Sequence, residues 1–376
     1  KYRDVEESDV FILSGAEDLV PEFEKNAAGN WILKDGKHVI HDKPRTVDGV
    51  EYKVRRYRPR IEGLFARIER WTDAQGVSHW RSTSKDNITT LYGRAAESQI
   101  VDPADPARIF SWSICESYDD KGNAIRYQYK VENADGIDLS ATNERNRSRS
   151  TQSYLKRIKY GNKTPHQRGD DLSQHSDNDW MFEAVFDYGE HYIENGTTAD
   201  DQSQPTTVRI EDTGQPEWAV RQDPFSSYRA GFEVRTYRLC RRVLMFHHFD
   251  ELEDPAHPGG ENYLVRATHF TYREGAVASF ITGVTQSGYK RIAGTYRKKS
   301  LPPVEFTYSE AVIQEEVHEV DAASLENLPQ GLDHSRYQWA DLDGEGLSGI
   351  LTEQGGTWFY KRNQSAVPVK DPAGKE

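Results

Sequence analysis

The sequence predicts an all-β protein built from antiparallel hairpins, and three observations lead to this prediction. Apolar and polar residues alternate with a period of two along much of the chain, whereas the 3.6-residue period of an amphipathic helix is hard to find. Turn-forming residues return after roughly every ten positions, as between short strands. Aromatic residues, which are favoured in strands, make up 11% of the 376 residues. A sandwich, a barrel, a propeller and a large wrapped sheet all remain open as architectures.

The hairpins can be placed along the chain from their turns. In WILKDGKHVI, the pair Asp35 and Gly36 tolerates the positive φ angles of a type I′ turn, which predicts a two-residue hairpin loop. GLFARIERWTDAQGVSHWRSTS predicts two strands joined by a turn at 73–76, and ESYDDKGNAIRYQYKVEN predicts two strands joined by a turn at 120–123. Later strands with the same alternation are expected in YLKRIKYGN, WMFEAVFDYGEHY, GFEVRTYRLCRRVLMFHHF, YLVRATHFTYRE and SFITGVTQSGYKR.

Two of the turns share one pattern, WTDAQG and YDDKGN. In each, an aromatic residue and an aspartate precede a glycine that lies three positions after the aspartate. The aspartate can cap the turn, and the glycine can adopt a positive φ angle. We interpret the recurring hairpin as a building unit rather than an active site. The residues expected to form these structural turns are Asp73, Gly76, Asp119, Gly122 and Asn123.

Segments rich in polar and turn-forming residues interrupt the strands at 161–179, 194–207 and 251–262, and we expect surface loops or insertions there. The composition changes near residue 309. The acidic segment SEAVIQEEVHEVDAASLENLPQG predicts a connector with a short helix, and YQWADLDGEGLSGILTEQGGTWFYKRN follows with a different character.

The net charge of −13 argues against a nucleic-acid partner, because an acidic chain repels phosphate backbones. Two basic runs, KVRRYRPRIEG and NERNRSRST, are expected to be solvated strand faces and loops. The sequence contains no run of about 18 apolar residues, so we expect no segment that spans a membrane directly.

The two cysteines, Cys115 and Cys240, do not imply a disulfide framework. Both lie in apolar, strand-like runs, and we expect buried free thiols. The chain starts at Lys1 without a methionine or a signal-like segment, so we expect it to be a piece of a longer polypeptide.

The sharpest local motif is DLDGEGLSG, residues 341–349. Asp341, Asp343 and Glu345 place carboxylates at alternate loop positions, which is the pattern that a calcium loop requires. Calcium is therefore the one cofactor that the sequence suggests, with weak binding at best. The alternative is a turn that is capped by its own side chains and needs no metal.

Residue patterns that would support catalysis are missing from the sequence. The triplet at 82–84, Ser-Thr-Ser, and the Glu-x-Glu at 251–253 imitate an ADP-ribosyltransferase pattern, but their separation is far too long. His247 and His248 are adjacent in a strand-like run, so they point to opposite faces and cannot bind one metal without a bulge. No HExxH, GxSxG, P-loop or CxxC pair occurs. We therefore predict no catalytic residues and no enzymatic activity.

A family resemblance rests on strings that extend over almost the whole chain: YRDVEESDVFILSGAEDLVP, YRPRIEGLFARIERW, HWRSTSKDNITTLYG, RIFSWSICESYDDKGNAIRYQYK, YLKRIKYGN, CRRVLMFHHF, KSLPPVEFTY and WADLDGEGLSGILTE. In this order they resemble the SpvB-type N-terminal region, which opens the B component of bacterial Tc insecticidal toxin complexes. The Tyr-Asp-x-x-Gly-Asn turn is similar to the YD repeat of RHS proteins. The segment DLDGEGLSGILTEQGGTWFYKRN resembles an FG-GAP or VCBS repeat, a blade unit of β-propellers.

The chain departs from these patterns at three points. Gly349 stands where many FG-GAP loops carry a further acid, and Glu345 replaces a shorter aspartate. The glycine-rich segment that usually precedes YRD…ESDVFIL is missing from the sequence. The first two departures weaken the prediction of calcium binding.

The resemblance implies a division of the chain into two regions. Residues 1–325 would be an SpvB-type region in which antiparallel hairpins form a large curved RHS-like shell sheet. Residues 326–376 would contain a connector and the first part of a β-propeller.

The resemblance also implies a function, that of a structural part of a toxin-complex B component. Such a component joins a Tc-type C component and encloses its toxic C-terminal cargo, and its propeller docks on the A-component translocation channel. The complex would be assembled in the bacterial cytoplasm and then released, so its final location would be extracellular.

Two alternatives stay open at this point. The chain could be the non-catalytic N-terminal region of an SpvB-like exotoxin whose ADP-ribosyltransferase domain lies downstream. A carbohydrate-binding or adhesion module is a third class, since exposed tryptophan and tyrosine side chains suit sugars.

Overall fold

A computed structural model confirms the all-β prediction, because strands form nearly all regular structure in the part of the chain that it describes. The strand ladders in this part are antiparallel. The structure describes residues 10–14, 18–47, 49–167, 169–195, 206–210, 218–249, 252, 263–292, 295–309, 322–326, 328, 337–344 and 346–364.

The chain divides into two compact units, Lys1–Thr307 and Tyr308–Glu376. The division falls close to residue 309, where the composition changes. The boundary at residue 325 between a shell region and a propeller concerns the identity of the regions and stays a prediction.

The first unit is a series of strands, and several of them, such as Asp18–Pro21 and Thr89–Tyr92, alternate between buried and partly exposed positions, as two-residue periodicity requires. Its strands are β1 (Phe11–Ile12), β2 (Asp18–Pro21), β3 (Leu33–Lys34), β4 (Lys37–His38), β5 (Asp42–Val47), β6 (Val50–Pro59), β7 (Arg67–Thr72), β8 (Ser78–Thr83), β9 (Thr89–Tyr92), β10 (Gln99–Asp102), β11 (Asp105–Trp112), β12 (Ile114–Tyr118), β13 (Ala124–Val131), β14 (Ser153–Asn162), β15 (Trp180–Asp187), β16 (Tyr192–Asn195), β17 (Thr206–Ile210), β18 (Phe225–Ser227), β19 (Val234–Thr236), β20 (Arg242–His247), β21 (Tyr263–Arg273), β22 (Phe280–Ile292), β23 (Thr295–Ser300) and β24 (Val304–Glu305).

Eighteen of these strands form one antiparallel sheet. From β6 the ladder runs through β7, β8, β9, β12, β13, β14, β15, β20, β21, β22 and β23, and each strand pairs with the next. Strands β17 and β16 continue it beyond β23. Strands β5 and β2 pair with the other edge of β6, and β24 pairs with β22. The hairpin expected from the sequence is therefore the repeating unit of one long sheet.

In the described part of the first unit, three further hairpins lie outside the large sheet, and each is a separate two-stranded sheet: β3–β4, β10–β11 and β18–β19. The β3–β4 turn contains Asp35 and Gly36 with φ angles of 52° and 77°. Both values lie in the left-handed region that a type I′ turn requires, which confirms the turn expected there.

The core of the first unit is divided into separate clusters along the sheet. One cluster, around Leu244 and Leu264, packs on strands β15, β20, β21 and β22. Another contains Tyr57, Ile68 and Trp80 at the start of the sheet. A long sheet buries its apolar side chains in local patches, because distant strands cannot share one core.

Polar segments interrupt the sheet largely where the sequence predicts them. The segment 161–179 contains two short 3₁₀ helices, Leu172–Gln174 and Asp177–Asp179. The predicted loop at 194–207 overlaps β16 and β17 at its two ends, so the strands extend further than the composition suggests. Within 251–262, only residue 252 is among the described residues.

The second unit contains a four-residue helix, α1 (Ala322–Leu325), and a three-stranded meander. Its strands are β25 (Tyr337–Ala340), β26 (Gly349–Gln354) and β27 (Thr357–Lys361). A Cβ atom at Gly349 would lie 2.6 Å from the Tyr360 hydroxyl, so glycine is required where β26 and β27 approach each other. The structure does not define this meander as the start of a propeller.

Among the described residues, no helix is long and apolar enough to cross a membrane. Cys115 is buried and Cys240 is half-buried, and both are free thiols.

The prediction that the basic runs are solvated is wrong at Arg55. Arg55 is buried and donates from Nη2 to Asp42 Oδ2 over 3.0 Å. Arg147, in the second run, remains 33% exposed but also has a carboxylate partner, since its Nη1 donates to Glu233 Oε1 over 3.0 Å. The acidic partners are distant in sequence, so the local basic run carries no sign of them.

Candidate functional site

The turn between β7 and β8 is organised by one carboxylate. Asp73 Oδ1 accepts hydrogen bonds from the backbone N–H groups of Gln75 and Val77, each over 2.9 Å. Gly76 has a φ angle of 86°, which lies in the region that glycine adopts at no steric cost. This side chain stabilises the hairpin itself.

The turn between β12 and β13 uses the same arrangement. Asp119 Oδ1 accepts from the backbone N–H groups of Lys121 and Asn123, each over 2.9 Å. The side-chain amide of Asn123 donates to Asp119 Oδ2 over 2.7 Å, and this hydrogen bond lowers the pKa of Asp119. Gly122 has a φ angle of 90°.

Gly122 also anchors the turn to the loop that follows β14. Its carbonyl oxygen accepts from His166 N over 2.9 Å and from Asn162 Nδ2 over 2.8 Å. A Cβ atom at Gly122 would lie 2.8 Å from Pro165 Cβ, so only glycine fits without a shift. This turn therefore forms a contact between neighbouring hairpins.

The acidic loop before β26 caps itself with Asp341. Its Oδ1 accepts from Gly344 N over 2.8 Å and its Oδ2 accepts from Gly346 N over 2.7 Å. Asp343 Oδ2 lies 3.1 Å from Arg362 Nε. Glu345, the third expected ligand, lies outside the described residues. In the described part of the chain, no group of three or more His, Cys, Asp or Glu residues could hold a metal ion.

Calcium binding by Asp341, Asp343 and Glu345 stays a prediction, and we expect it to be weak. Both oxygens of Asp341 already accept backbone hydrogen bonds, and the ion would have to compete with Arg362 for Asp343. Calorimetric titration is expected to give a dissociation constant no tighter than about 10⁻⁴ M, the range of weak extracellular calcium modules. A micromolar site that disappears in Asp343→Ala but persists in Asp105→Ala would contradict this prediction.

The other candidate residues from the sequence belong to the sheet and its turns. Ser84 Oγ accepts from the N–H groups of Asp86 and Ile88, each over 3.2 Å, so it organises the β8–β9 turn. The His247 ring lies against Phe182, with 5.1 Å between ring centroids. His248 is buried, and its Nε2 lies 3.4 Å from Glu183 Oε2, so the two adjacent histidines have different neighbours, as expected in an extended chain.

Sequence reasoning missed a network of buried ion pairs that fastens the long connections to each other. Arg238 Nε donates to Glu132 Oε2 over 2.9 Å, and both side chains are fully buried. Arg235 Nη2 donates to Glu144 Oε1 over 2.6 Å. Tyr237 OH donates to Glu144 Oε2 over 2.5 Å. These contacts join the segment after β13 to the segment before β20.

Another buried carboxylate, Glu183, lies on β15 near the middle of the sheet. Its Oε1 accepts from Arg157 Nη1 over 2.8 Å, and its Oε2 lies 3.4 Å from His248 Nε2. Burial raises the pKa of Glu183, but the interaction with the nearby His248 ring and with the Arg157 guanidinium lowers it by more. The net effect lowers the pKa of Glu183 from 4.5 to about 2.

This pKa shift predicts a loss of stability in acid. The folded protein stabilises the ionised form of Glu183 relative to the unfolded chain. The resulting contribution to the free energy of unfolding is complete above pH 4.5 and is lost as the pH falls towards about 2. The shift corresponds to about 3 kcal/mol of unfolding free energy. We expect the stability difference between the unchanged chain and Glu183→Gln to shrink over this window. Urea unfolding at several pH values measures it, with the exposed Glu305→Gln as the control.

A difference between the two proteins that stays constant from pH 6 to pH 2 would contradict the role of Glu183. A similar change for Glu305→Gln would show that the acid effect is not specific to the buried carboxylate.

The fold and these contacts define a class of protein: an all-β scaffold whose distinctive residues hold hairpins together. Comparison with protein families gives the particular family. Residues 1–249 match the family described as SpvB, Salmonella virulence plasmid 65kDa B protein. This chain belongs to the SpvB family.

Curated relatives support this assignment. The mono(ADP-ribosyl)transferase SpvB of Salmonella typhimurium (strain 14028s / SGSC 2262) is 41% identical over 207 residues. The match covers 54% of this chain and 32% of that protein, so the chain spans about a third of the curated relatives that it matches.

Solved structures of two kinds share the fold. A crystal structure of TcdB2-TccC3-Cdc42 matches with a TM-score of 0.75 and 29% identity, over 94% of this chain and 15% of that chain. A Photorhabdus luminescens Tc holotoxin pore matches with a TM-score of 0.72 and 29% identity, over 92% of this chain and 15% of that chain. The N-terminal domain of the effector SpvB from Salmonella typhimurium strain LT2 matches with a TM-score of 0.61 and 32% identity, over 76% of this chain and 82% of that chain. The resemblance to the SpvB-type N-terminal region is thereby confirmed.

Proposed function

We propose that this chain is a structural part of a bacterial toxin-complex B component, which encapsulates a toxic polypeptide and helps to deliver it. The observation that carries the proposal is the match to TcdB2-TccC3 structures over 94% of the chain, into the second unit. In this proposal the large sheet of the first unit forms part of a curved RHS-like shell. The second unit contributes the first part of a β-propeller.

The proposed partners follow from the same match. The similar structures include a TcdB2-TccC3 complex and a Tc holotoxin pore. We propose that the polypeptide containing this chain binds a Tc-type C component and its toxic C-terminal cargo, and meets an A-component translocation channel through the propeller. It would be assembled in the bacterial cytoplasm and act outside the cell. In this proposal the chain itself is not an enzyme and needs no cofactor.

The second candidate function is the non-catalytic N-terminal region of an SpvB-like exotoxin. Its support is the identity to SpvB, 41% over 207 residues, and the 32% identity to the SpvB N-terminal domain in the structural match, against 29% to TcdB2-TccC3-Cdc42. The two candidates differ in the size of the polypeptide to which the chain belongs. The matched segment makes up 15% of the chain in the TcdB2-TccC3 structure but 32% of SpvB.

The proposal is tested on the native polypeptide that contains this chain. An antibody against the chain is expected to detect a polypeptide several times longer than SpvB. Co-expression with a Tc-type C component should give a complex in which the cargo resists protease until the complex is denatured. The control is the C component expressed alone, whose cargo should be digested.

A polypeptide of SpvB length would instead support the exotoxin candidate. A polypeptide of the greater length that leaves the cargo open to protease would contradict encapsulation.

A further inference from the structure

A cavity of about 450 Å³ opens on the face of the sheet opposite the Trp80 cluster. Its floor contains Trp71, His79 and Leu91. Trp71 and His79 are paired across β7 and β8, so the cavity is built on the regular part of the sheet. Its volume lies within the range of pockets that bind small molecules.

The charged side chains that line this cavity are mostly cationic. Arg45, Arg81 and Arg94 line it, and Asp170 is the one carboxylate among the described lining residues. The Asp170 side chain is 42% exposed and accepts a hydrogen bond from Gln167 N over 2.6 Å. The inside of the cavity therefore favours a negative charge.

Neighbouring carboxylates neutralise this charge only in part. Glu69 lies opposite Arg81 across the strands, but its Oε1 is 3.5–3.8 Å from three other guanidinium groups. Those groups belong to Arg45, Arg56 and Arg67, so three cations share the negative charge of one carboxylate.

The other two lining arginines differ in how they are paired. Arg94 has its own partner, Glu116, at 3.5 Å. Arg81 has no ion-pair partner in the described part of the chain, and its Nε is buried without a hydrogen bond. Arg81 is therefore the guanidinium that is available to a ligand.

Aromatic rings form the walls around these arginines. Tyr52 packs edge-on against Trp71 and His79, with centroid distances of 5.6 and 5.5 Å. Tyr118 and His166 pack together on another side, with 4.4 Å between centroids. Burial lowers the pKa of His79 to about 4, and the charges of nearby arginines add to this shift. His79 is therefore neutral near pH 7 and leaves the charge of the cavity to the arginines.

We propose that this cavity binds a small organic anion. Its carboxylate or phosphate group would contact Arg81, and its apolar or aromatic body would lie against Tyr52 and Tyr118. This binding site is independent of the proposed encapsulating function, because it needs no partner chain. Guanidinium groups form strong, charge-assisted hydrogen bonds to both kinds of oxyanion.

Four probe compounds test separately how much the anionic group and the ring of the proposed ligand contribute to binding. Phenylacetate and phenyl phosphate carry both an anion and a ring, and they distinguish carboxylate from phosphate. Acetate has the charge alone, and benzyl alcohol has the ring alone. Calorimetric titration of the 376-residue chain is expected to show at least one of the first two binding about tenfold or more tightly than acetate and benzyl alcohol. Equal binding of all four, or none, would overturn the proposal.

Variants of Arg81 test the position of the anion. Arg81→Ala is expected to weaken binding of the better probe by about tenfold or more, the effect of losing a hydrogen bond to a charged group. Arg81→Lys should retain part of the affinity. The matched control is Arg108→Ala, because Arg108 is 61% exposed and pairs with Asp102 outside the cavity. Affinity that falls equally in Arg81→Ala and Arg108→Ala would count against the site.

A measurement on the unchanged chain covers the case in which Arg81→Ala does not fold. Amide chemical shifts of an isotope-labelled chain are expected to change on addition of phenylacetate or phenyl phosphate at Trp71, His79 and Leu91. Changes confined to other parts of the sheet would overturn the proposal without any variant.

Discussion

Replacing Glu132 by alanine is expected to lower the free energy of unfolding by about 3–5 kcal/mol, the cost of leaving one partner of a buried ion pair alone. The Glu132 and Arg238 side chains are both 0% exposed. In the variant, the Arg238 guanidinium keeps its hydrogen bonds to the carbonyl oxygens of Trp218 and Asp135, over 2.6 and 2.9 Å. It loses its only described carboxylate partner, however, and water cannot replace that partner without opening the structure.

The loss can be measured by urea denaturation followed by tryptophan fluorescence. Lys43→Ala is the control, because Lys43 is 60% exposed and lies 3.8 Å from Glu24, so its removal should cost less than about 1 kcal/mol. A double variant, Glu132→Leu with Arg238→Met, is expected to be more stable than Glu132→Ala, since it leaves no buried charge unpaired. A loss below about 1 kcal/mol for Glu132→Ala would show that this pair does not hold the connections together.

Replacing Trp180 by alanine is expected to destabilise the first unit by about 3–5 kcal/mol, the usual cost of deleting a buried aromatic side chain. Trp180 is 0% exposed and packs with Leu172 and Ala124. This contact joins the 3₁₀ segment before β15 to the start of β13. The alanine variant would leave a cavity under that segment, and the surrounding sheet is too rigid to fill it.

Trp180→Phe is expected to lower the free energy of unfolding much less than Trp180→Ala does. The indole Nε1 of Trp180 is buried and has no hydrogen-bond partner among the described residues, so phenylalanine removes an unpaired donor as well as some volume. The stability of both variants can be measured by thermal unfolding and by hydrogen exchange of the β13 amides. Trp358→Ala is the control, because Trp358 is 59% exposed. Equal losses for Trp180→Phe and Trp180→Ala would mean that the indole N–H has a partner and that the packing argument is incomplete.

Much of the fold could be predicted from the sequence, because hairpins are local structures. The alternation of residues in β7 and β8, and the aspartate and glycine of the turn between them, act within a few positions of the chain. The same holds for the turn at Asp119, whose hydrogen bonds span two to four residues. Interactions between residues so close in the sequence can be predicted without any knowledge of the tertiary structure.

The candidate sites were less accessible to sequence reasoning. The sequence singles out the acidic loop at 341–349, where Asp341 accepts hydrogen bonds from its own loop. It gives no sign of the cavity around Arg81, whose lining residues come from positions 45–170. Nor does it show that Glu132 and Arg238, which are 106 residues apart, form a buried pair.

By itself, the sequence determined the strand periodicity, the turn chemistry and the membership of the SpvB family. The tertiary structure decided which charges are buried and which of the cavity's arginines has no ion-pair partner among the described residues. Arg55 and Arg147 look like solvated residues of basic runs, yet each meets a carboxylate supplied by another strand or connection. The physical reason is that periodicity and turn propensity are local properties of the chain. The environment of a charge is set by segments that the fold brings together from far apart.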